Sequence, residues 1–226
     1  MAKKRYDDFI KWNDEMLKKF DLEHYHANAN FVVRFIESRR VARILAFLTA
    51  NDSDEIIEIG CGAGDIIGKI GKGRLTGVDI SRYILDIARK RYPKVRFIVG
   101  DAENLPAEIS QKQYDKIICS EVLEHVENPS RVLEEIKGLA KKDSVVVVSV
   151  PNEKLINRIK DFFKKMKIFQ SLFPRLSRRM TDEWHLHYFD LAKLKRIAGR
   201  NYAIKSARCI PFRWLPLRYV VKMELK

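Results

Sequence analysis

The chain has few of the residues that build disulfide, zinc-thiolate or membrane-spanning architectures. Its cysteines number only three, Cys61, Cys119 and Cys209, far apart and without a Cys-x-x-Cys pair. That excludes a disulfide framework and a thiolate zinc site, and it predicts three reduced thiols. Long apolar runs are missing too. The longest, VVVVSV from Val145 to Val150, falls far short of the roughly 20 residues of a membrane span, and the opening MAKKRYDDFIKWNDE is too charged for a secretory signal. The expectation is a cytoplasmic protein. Glutamine occurs only at 111, 113 and 170 beside 33% charged residues, a balance found in thermophilic proteins. Acids are scarce in one place above all: from Lys154 to Met180 nine basic residues accompany the single acid Asp161, so more than half of the net charge of +14 sits there. Such charge suits a nucleic acid, an anionic membrane surface or an acidic substrate, and alone selects none of them.

Apolar residues recur at helical spacing over about 5–20 and 28–48 (Phe31, Phe35, Val41, Ile44, Leu45, Leu48), which predicts an N-terminal helical region. The pattern then changes. EIIEI (55–59), RLTGVDI, KVRFIVG, YDKIICS and SVVVVSV read as five strands. Between them GDIIGKI, SRYILDIARKRY with Ser81 as N-cap, and PSRVLEEIKGLAKK with Pro129 near its start read as helices. Alternation of strand and helix predicts an α/β fold, a Rossmann-like doubly wound parallel sheet. The tail departs from it: a helix LAKLKRIAGR precedes YAIKSARCI and RYVVKMEL, two strands joined by a short loop, as in an antiparallel hairpin at the sheet edge.

IEIGCGAGD sets Gly60, Gly62 and Gly64 directly after the first strand, where glycine permits a tight turn and lets a ligand lie against bare backbone. Asp79 closes the second strand, 19 positions after Gly60, where a carboxylate can accept both ribose hydroxyls of a nucleoside, and Asp101-Ala102 follows the third, within reach of an adenine. A nicotinamide dehydrogenase also places an acid there, but its third fingerprint glycine is Asp65 here. From Arg40 to Pro151 the sequence resembles the class I S-adenosylmethionine-dependent methyltransferases, through IIEIGCGAGD, GVDIS, GDAENLP and YDKIICSEVLEHVENP, in order. The resemblance implies S-adenosyl-L-methionine as cofactor and a seven-stranded sheet whose last strand is antiparallel. It implies that Glu58 orients the methionine end through its amine, that Gly60, Gly62 and Gly64 line the cofactor, and that Asp79, followed by Ile80, holds the ribose. Asp101 and Ala102 would flank adenine, and Ser120 would lie beside the methionine portion.

In CSEVLEHVENPS (119–130), a helix beginning after Ser120 would put Glu121, Glu124 and His125 on one face. Two carboxylates and an imidazole suit Mg²⁺, Mn²⁺ or Zn²⁺. His185 and His187 alternate on EWHLHYF, so one of them can face inward and complete the set. The arrangement is similar to that of ubiquinone-pathway O-methyltransferases and small-RNA 2′-O-methyltransferases, where such residues bind a divalent metal; the same string also occurs in family members without one. Three readings stand: a metal site of Glu121, Glu124, His125 and His185; catalysis through Glu121, His125 and His185, with His125 as a metal-free base; or a polar helix start. His24, His26 and Trp184 read as structural neighbours of the pocket.

The basic segment spaces Ile156, Ile159, Phe163, Met166, Phe169 and Phe173 at three- and four-residue steps, an apolar stripe with a cationic face. It can be a lid over the acceptor pocket, a membrane-surface helix through 154–180, or a phosphate-binding element, for which no RNA-binding module is recognisable. The expected organisation is one methyltransferase domain over 1–226: an N-terminal helical region (1–50), a cofactor-binding core (51–151), a basic amphipathic insert after strand five (152–182), and a C-terminal helix and hairpin (183–226). The expected activity is methyl transfer to an oxygen of a small or lipid-like acceptor, in the cytoplasm or peripherally at the membrane. The alternatives are an RNA methyltransferase and a non-catalytic cofactor-binding or partner subunit.

Overall fold

The structure, a computed structural model, describes residues 2–19, 31–165 and 185–226. Seven strands form one sheet in the order β3-β2-β1-β4-β5-β7-β6. They are β1 (Glu55–Ile59), β2 (Arg74–Asp79), β3 (Arg96–Val99), β4 (Tyr114–Ser120), β5 (Ala140–Pro151), β6 (Tyr202–Phe212) and β7 (Leu215–Leu225). The first five run parallel, and β7 pairs antiparallel with both β5 and β6. Helices α1 (Ala2–Lys19) and α2 (Phe31–Leu48) precede the sheet; α3 (Arg82–Arg91), α4 (Ala107–Ser110) and α5 (Pro129–Leu139) connect its strands; α6 (Glu153–Lys165) follows β5 and α7 (Leu191–Ala198) precedes β6.

The apolar strand runs are buried on both faces, and their two-residue period divides the core. Ile117, Cys119, Val146, Val148 and Val221 meet Val132, Leu133 and Ile136 of α5 and Leu194 of α7. Ile118, Val145, Val147 and Val220 meet Ile36, Val41, Ile44 and Leu48 of α2. Local signals set the helix starts. Ser81 caps α3 by accepting from the Ile84 N–H at 3.3 Å, and Asn128 caps α5 by accepting from Arg131 at 3.2 Å, with Pro129 in the first turn.

Two expected helices are reduced. GDIIGKI forms only a 3₁₀ turn at Ile67–Lys69. A side chain on Gly68 would meet the Tyr92 ring at 2.4 Å, so this turn packs directly against that ring. After Ser120 the chain makes a single turn, in which the His125 N–H donates to the Val122 carbonyl at 2.9 Å, before α5 begins. Of the expected basic insert, α6 is described and 166–184 lie outside the described residues, as do His24, His26 and Trp184. Lys160 of α6 is buried, so it does not belong to the cationic face that the spacing assigned to it.

Candidate active site

β1, β2, β4 and β5 all end at the same edge of the sheet, since Ile59 pairs with Val78 and Cys119, and Ser120 pairs with Ser149. The glycine loop lies there with left-handed backbone at Gly60, Gly62 and Gly64 (φ +68°, +51° and +81°). The three glycines serve different ends. A Cβ on Gly60 would lie 2.2 Å from Val122 Cγ2 and one on Gly64 3.0 Å from the Tyr92 ring, so these two allow the loop to pack. A Cβ on Gly62 would meet nothing within 4 Å, so its backbone faces open space that a ligand can enter.

At the same strand ends stand the expected polar groups. Glu58 is buried and accepts from the Ile67 N–H at 2.9 Å; burial pushes its carboxyl up to about 8, against the pull of that hydrogen bond and of Arg40. Asp79 accepts from the N–H groups of Gly62 (2.9 Å) and Ser81 (3.0 Å), joining the loops after β1 and β2. Burial raises its carboxyl as well. Ile80 next to it is half-buried. After β3, Asp101 accepts from the Glu103 N–H at 2.8 Å, and Ala102 packs against the core. Helix α1 covers this end: Leu17, with Trp12 and Met16 beside it, packs on Ala63 of the glycine loop and Ile84 of α3. Bare backbone facing open space, with carboxylates at the ends of β1, β2 and β3, is a donor and acceptor set that fits the amine and ribose hydroxyls of a nucleoside-bearing amino acid.

Sequence reasoning missed the groups behind Ser120. The Ser120 hydroxyl lies 2.8 Å from that of Ser149 and accepts a short bond from Arg40. Arg40 also donates to Glu37 Oε2 (3.0 and 2.6 Å), while Arg218 of β7 bridges Glu37 Oε1 at 3.0 Å and Glu121 Oε2 at 2.8 Å. Glu121, at φ +55°, takes a further bond from Ser149 at 3.0 Å. Its carboxylate is therefore directed to Arg218 and Ser149, and it is not among the residues whose donor atoms converge below. Arg40 and Ser120 lie 80 positions apart and Arg218 and Glu121 97, beyond any local pattern.

Glu124, His125 and His185 are brought together. One ligand atom from each lies within 4.8 Å of the others, and the two imidazoles cross edge to face at 4.7 Å between centroids. Glu124 is 1% exposed, and its Oε2 has no hydrogen-bond partner. Burial pushes its carboxyl well above the usual range, and nearby Glu121 adds to the effect. A carboxylate oxygen and two imidazole nitrogens are a donor set that could hold a divalent first-row metal or Mg²⁺. Behind His185 stands Glu153, the first residue of α6, wholly buried. One of its oxygens bonds His185 Nδ1, and the other accepts from the Phe189 N–H at 2.7 Å. That contact fixes the ring so that Nε2 is the nitrogen left for a ligand. His187 turns elsewhere, its Nε2 lying 3.0 Å from the Glu127 carbonyl. The segment is docked by the Leu186 N–H, which donates to the Glu124 carbonyl at 2.8 Å.

A family model described as a methyltransferase domain matches residues 50–197. A ubiquinone biosynthesis O-methyltransferase of Actinobacillus pleuropneumoniae serotype 7 is 29% identical over 110 residues, 45% of this chain and 47% of that protein, so the chain spans about half the length of that relative. Another of the same name from Hydrogenovibrio crunogenus is 26% identical over 174 residues, 74% of this chain and 70% of that protein. Magnesium protoporphyrin IX methyltransferase from Synechocystis PCC 6803, solved with bound SAH, superposes with a TM-score of 0.67 and 18% identity over 100% of both chains.

Proposed function

We propose, on the premise that this chain belongs to the class I S-adenosylmethionine-dependent methyltransferases, that it methylates an oxygen of a small or lipid-like acceptor with the help of a divalent cation. One observation carries the metal: a buried carboxylate oxygen of Glu124 without a partner, beside His125 and His185, on the same strand end that brings Ser120 to the glycine loop. Relatives named as O-methyltransferases support oxygen as the atom methylated.

Glu58 would receive the amine of the cofactor, Gly60, Gly62 and Gly64 its backbone-lined side, Asp79, followed by Ile80, the ribose, Asp101 and Ala102 the adenine, and Ser120 the methionine portion. The cofactor supplies a methyl group on a sulfonium, an electrophile that reacts with a nucleophile held in line with it. The protein's part is to hold the acceptor oxygen about 3 Å away and exclude water. Leu17 and its neighbours in α1 close one side of that space. A hydroxyl must also lose its proton. Where no cation is bound, His125 would take that proton, a contribution typically of 10²–10⁴-fold. A cation on Glu124, His125 and His185 would lower the hydroxyl's pKa. Glu153 fixes the tautomer that frees His185 Nε2, and Glu121, bonded to Arg218, adds negative charge beside Glu124.

The test is transfer of labelled methyl from S-adenosylmethionine into fractionated extract, with and without chelator, and identification of the product. Label should enter a small-molecule or lipid fraction and fall with chelator. Glu124→Gln and His185→Ala should remove the response to added Mg²⁺, Mn²⁺ or Zn²⁺. Chelator-insensitive transfer would assign the proton to His125 alone, and label in RNA would replace the acceptor class.

A further inference from the structure

The pairing of Pro151 with Arg218 and of Phe212 with Leu215 carries the β6–β7 tip past the edge where β4 and β5 deliver the active site. An aromatic group lies on this tip and on the start of α2. Phe212 and Trp214 stack at 5.1 Å with planes 7° apart, Phe35 lies 5.9 Å from Phe212, and Phe31 stacks on Phe35 at 6.4 Å. Phe31 is 82% and Trp214 77% exposed, an unusual state for side chains of such apolar area. Arg39 lies over both Phe35 and Phe212 and donates to the Pro211 carbonyl at 3.1 Å, so the two elements form one patch.

Among the described residues the exposed charge on these two elements has one sign. Arg34, Arg39 and Arg213 are exposed among them, while Glu37, the acid within α2, is buried against Arg40 and Arg218. Exposed tryptophan and phenylalanine interleaved with arginine suit a layer that is apolar on one side and anionic on the other, the headgroup region of a bilayer. Among the described residues no helix is long and apolar enough to cross a membrane, so the contact would be peripheral.

We propose that the β6–β7 tip and the first turns of α2 seat this protein on an anionic phospholipid bilayer, with Phe31, Phe212 and Trp214 inserted and Arg34, Arg39 and Arg213 at the headgroups. Arg218 lies on the same hairpin and holds Glu121 and Glu37, so the docked edge is continuous with the active site, and a lipid-like acceptor would enter from the bilayer beneath it. Docking does not depend on the methyl-transfer reading. It is measured without turnover, so its failure leaves that reading intact.

The experiment is co-flotation of the full chain with vesicles of phosphatidylcholine alone and with 30% phosphatidylglycerol, at rising salt. Binding is expected only with the anionic lipid, weakening with salt. A Phe212→Ser, Trp214→Ser double variant and, separately, Arg34→Gln, Arg213→Gln should each bind at least tenfold less, with melting temperature and methyl transfer to a water-soluble acceptor unchanged. No flotation overturns the proposal. So does flotation that both variants retain, which would assign binding to the basic segment after β5. Self-association in sedimentation that the double variant abolishes would give the patch to a second copy of the chain and equally overturn it.

Discussion

Replacing Glu58 by glutamine should flatten the dependence of stability on pH. The carboxyl is buried against a single backbone donor, Ile67, and burial raises it from 4.5 to about 8. A carboxyl raised on folding stabilises the fold fully below its unfolded value, and that stability drains away as pH rises toward the folded value. The unfolded chain ionises freely from pH 4.5 upward, whereas the folded chain stays neutral until about pH 8. Between pH 5 and pH 8 the loss is roughly 3–4 kcal/mol from this one group. Glutamine keeps an acceptor for Ile67 but adds an amide donor, which costs roughly 1–3 kcal/mol where it finds no partner, and that cost does not change with pH. Urea unfolding of both proteins, free of cofactor, at half-unit steps should therefore show curves that differ in slope and converge or cross. Parallel curves would refute the assignment of a neutral Glu58. The same variant should bind S-adenosylmethionine weakly and without pH dependence. In the natural protein, affinity should fall as pH drops below about 8, because the cofactor's ammonium requires the ionised carboxylate.

Other substitutions separate folding from ligand binding. Gly60→Ala places a methyl 2.2 Å from Val122 at a positive φ and should destabilise by roughly 2–4 kcal/mol in thermal or urea unfolding. Gly62→Ala meets no protein atom and should cost about 1 kcal/mol of stability, while calorimetric titration shows at least a tenfold loss of cofactor affinity. Arg218→Ala leaves Glu37 and Glu121 without their shared cation and should cost about 2–4 kcal/mol, less than for a wholly buried pair because Arg218 and Glu121 keep about a fifth of their surface. Adding Glu121→Gln to it should recover part of that loss. Asp190 caps α7 by accepting from the Lys193 N–H at 2.7 Å, so Asp190→Ala should lower stability by about 1 kcal/mol without altering methyl transfer.

What the sequence made legible was local. Strand runs, the Ser81 and Asn128 starts, the glycine loop and the acids that end β1, β2 and β3 are each set by residues within one turn of each other. The antiparallel hairpin was readable because its two apolar runs are joined by a loop too short for a crossover. The helix expected after Ser120 was not, because its spacing argument needs helical backbone at Glu121, which instead adopts φ +55° and turns its carboxylate toward Arg218. No periodicity could pair Arg40 with Ser120 or Glu153 with His185, since those contacts form only once α2 and α6 dock on the sheet. Buried charge is the recurrent blind spot: Glu37, Arg40, Glu153 and Lys160 read in sequence as ordinary polar positions of helices.

Glu153 and Phe189 are 36 positions apart, yet each donates its backbone N–H to the other residue, Phe189 to the Glu153 carboxylate at 2.7 Å and Glu153 to the Phe189 carbonyl at 3.4 Å. The excursion that leaves the sheet after β5 thus departs from and returns to a single clasp. Because His185 hangs from the same carboxylate, the clasp and α6 together hold the imidazole. A graft confined to 166–182, with α6 and the clasp kept, would then test acceptor choice separately from the chemistry.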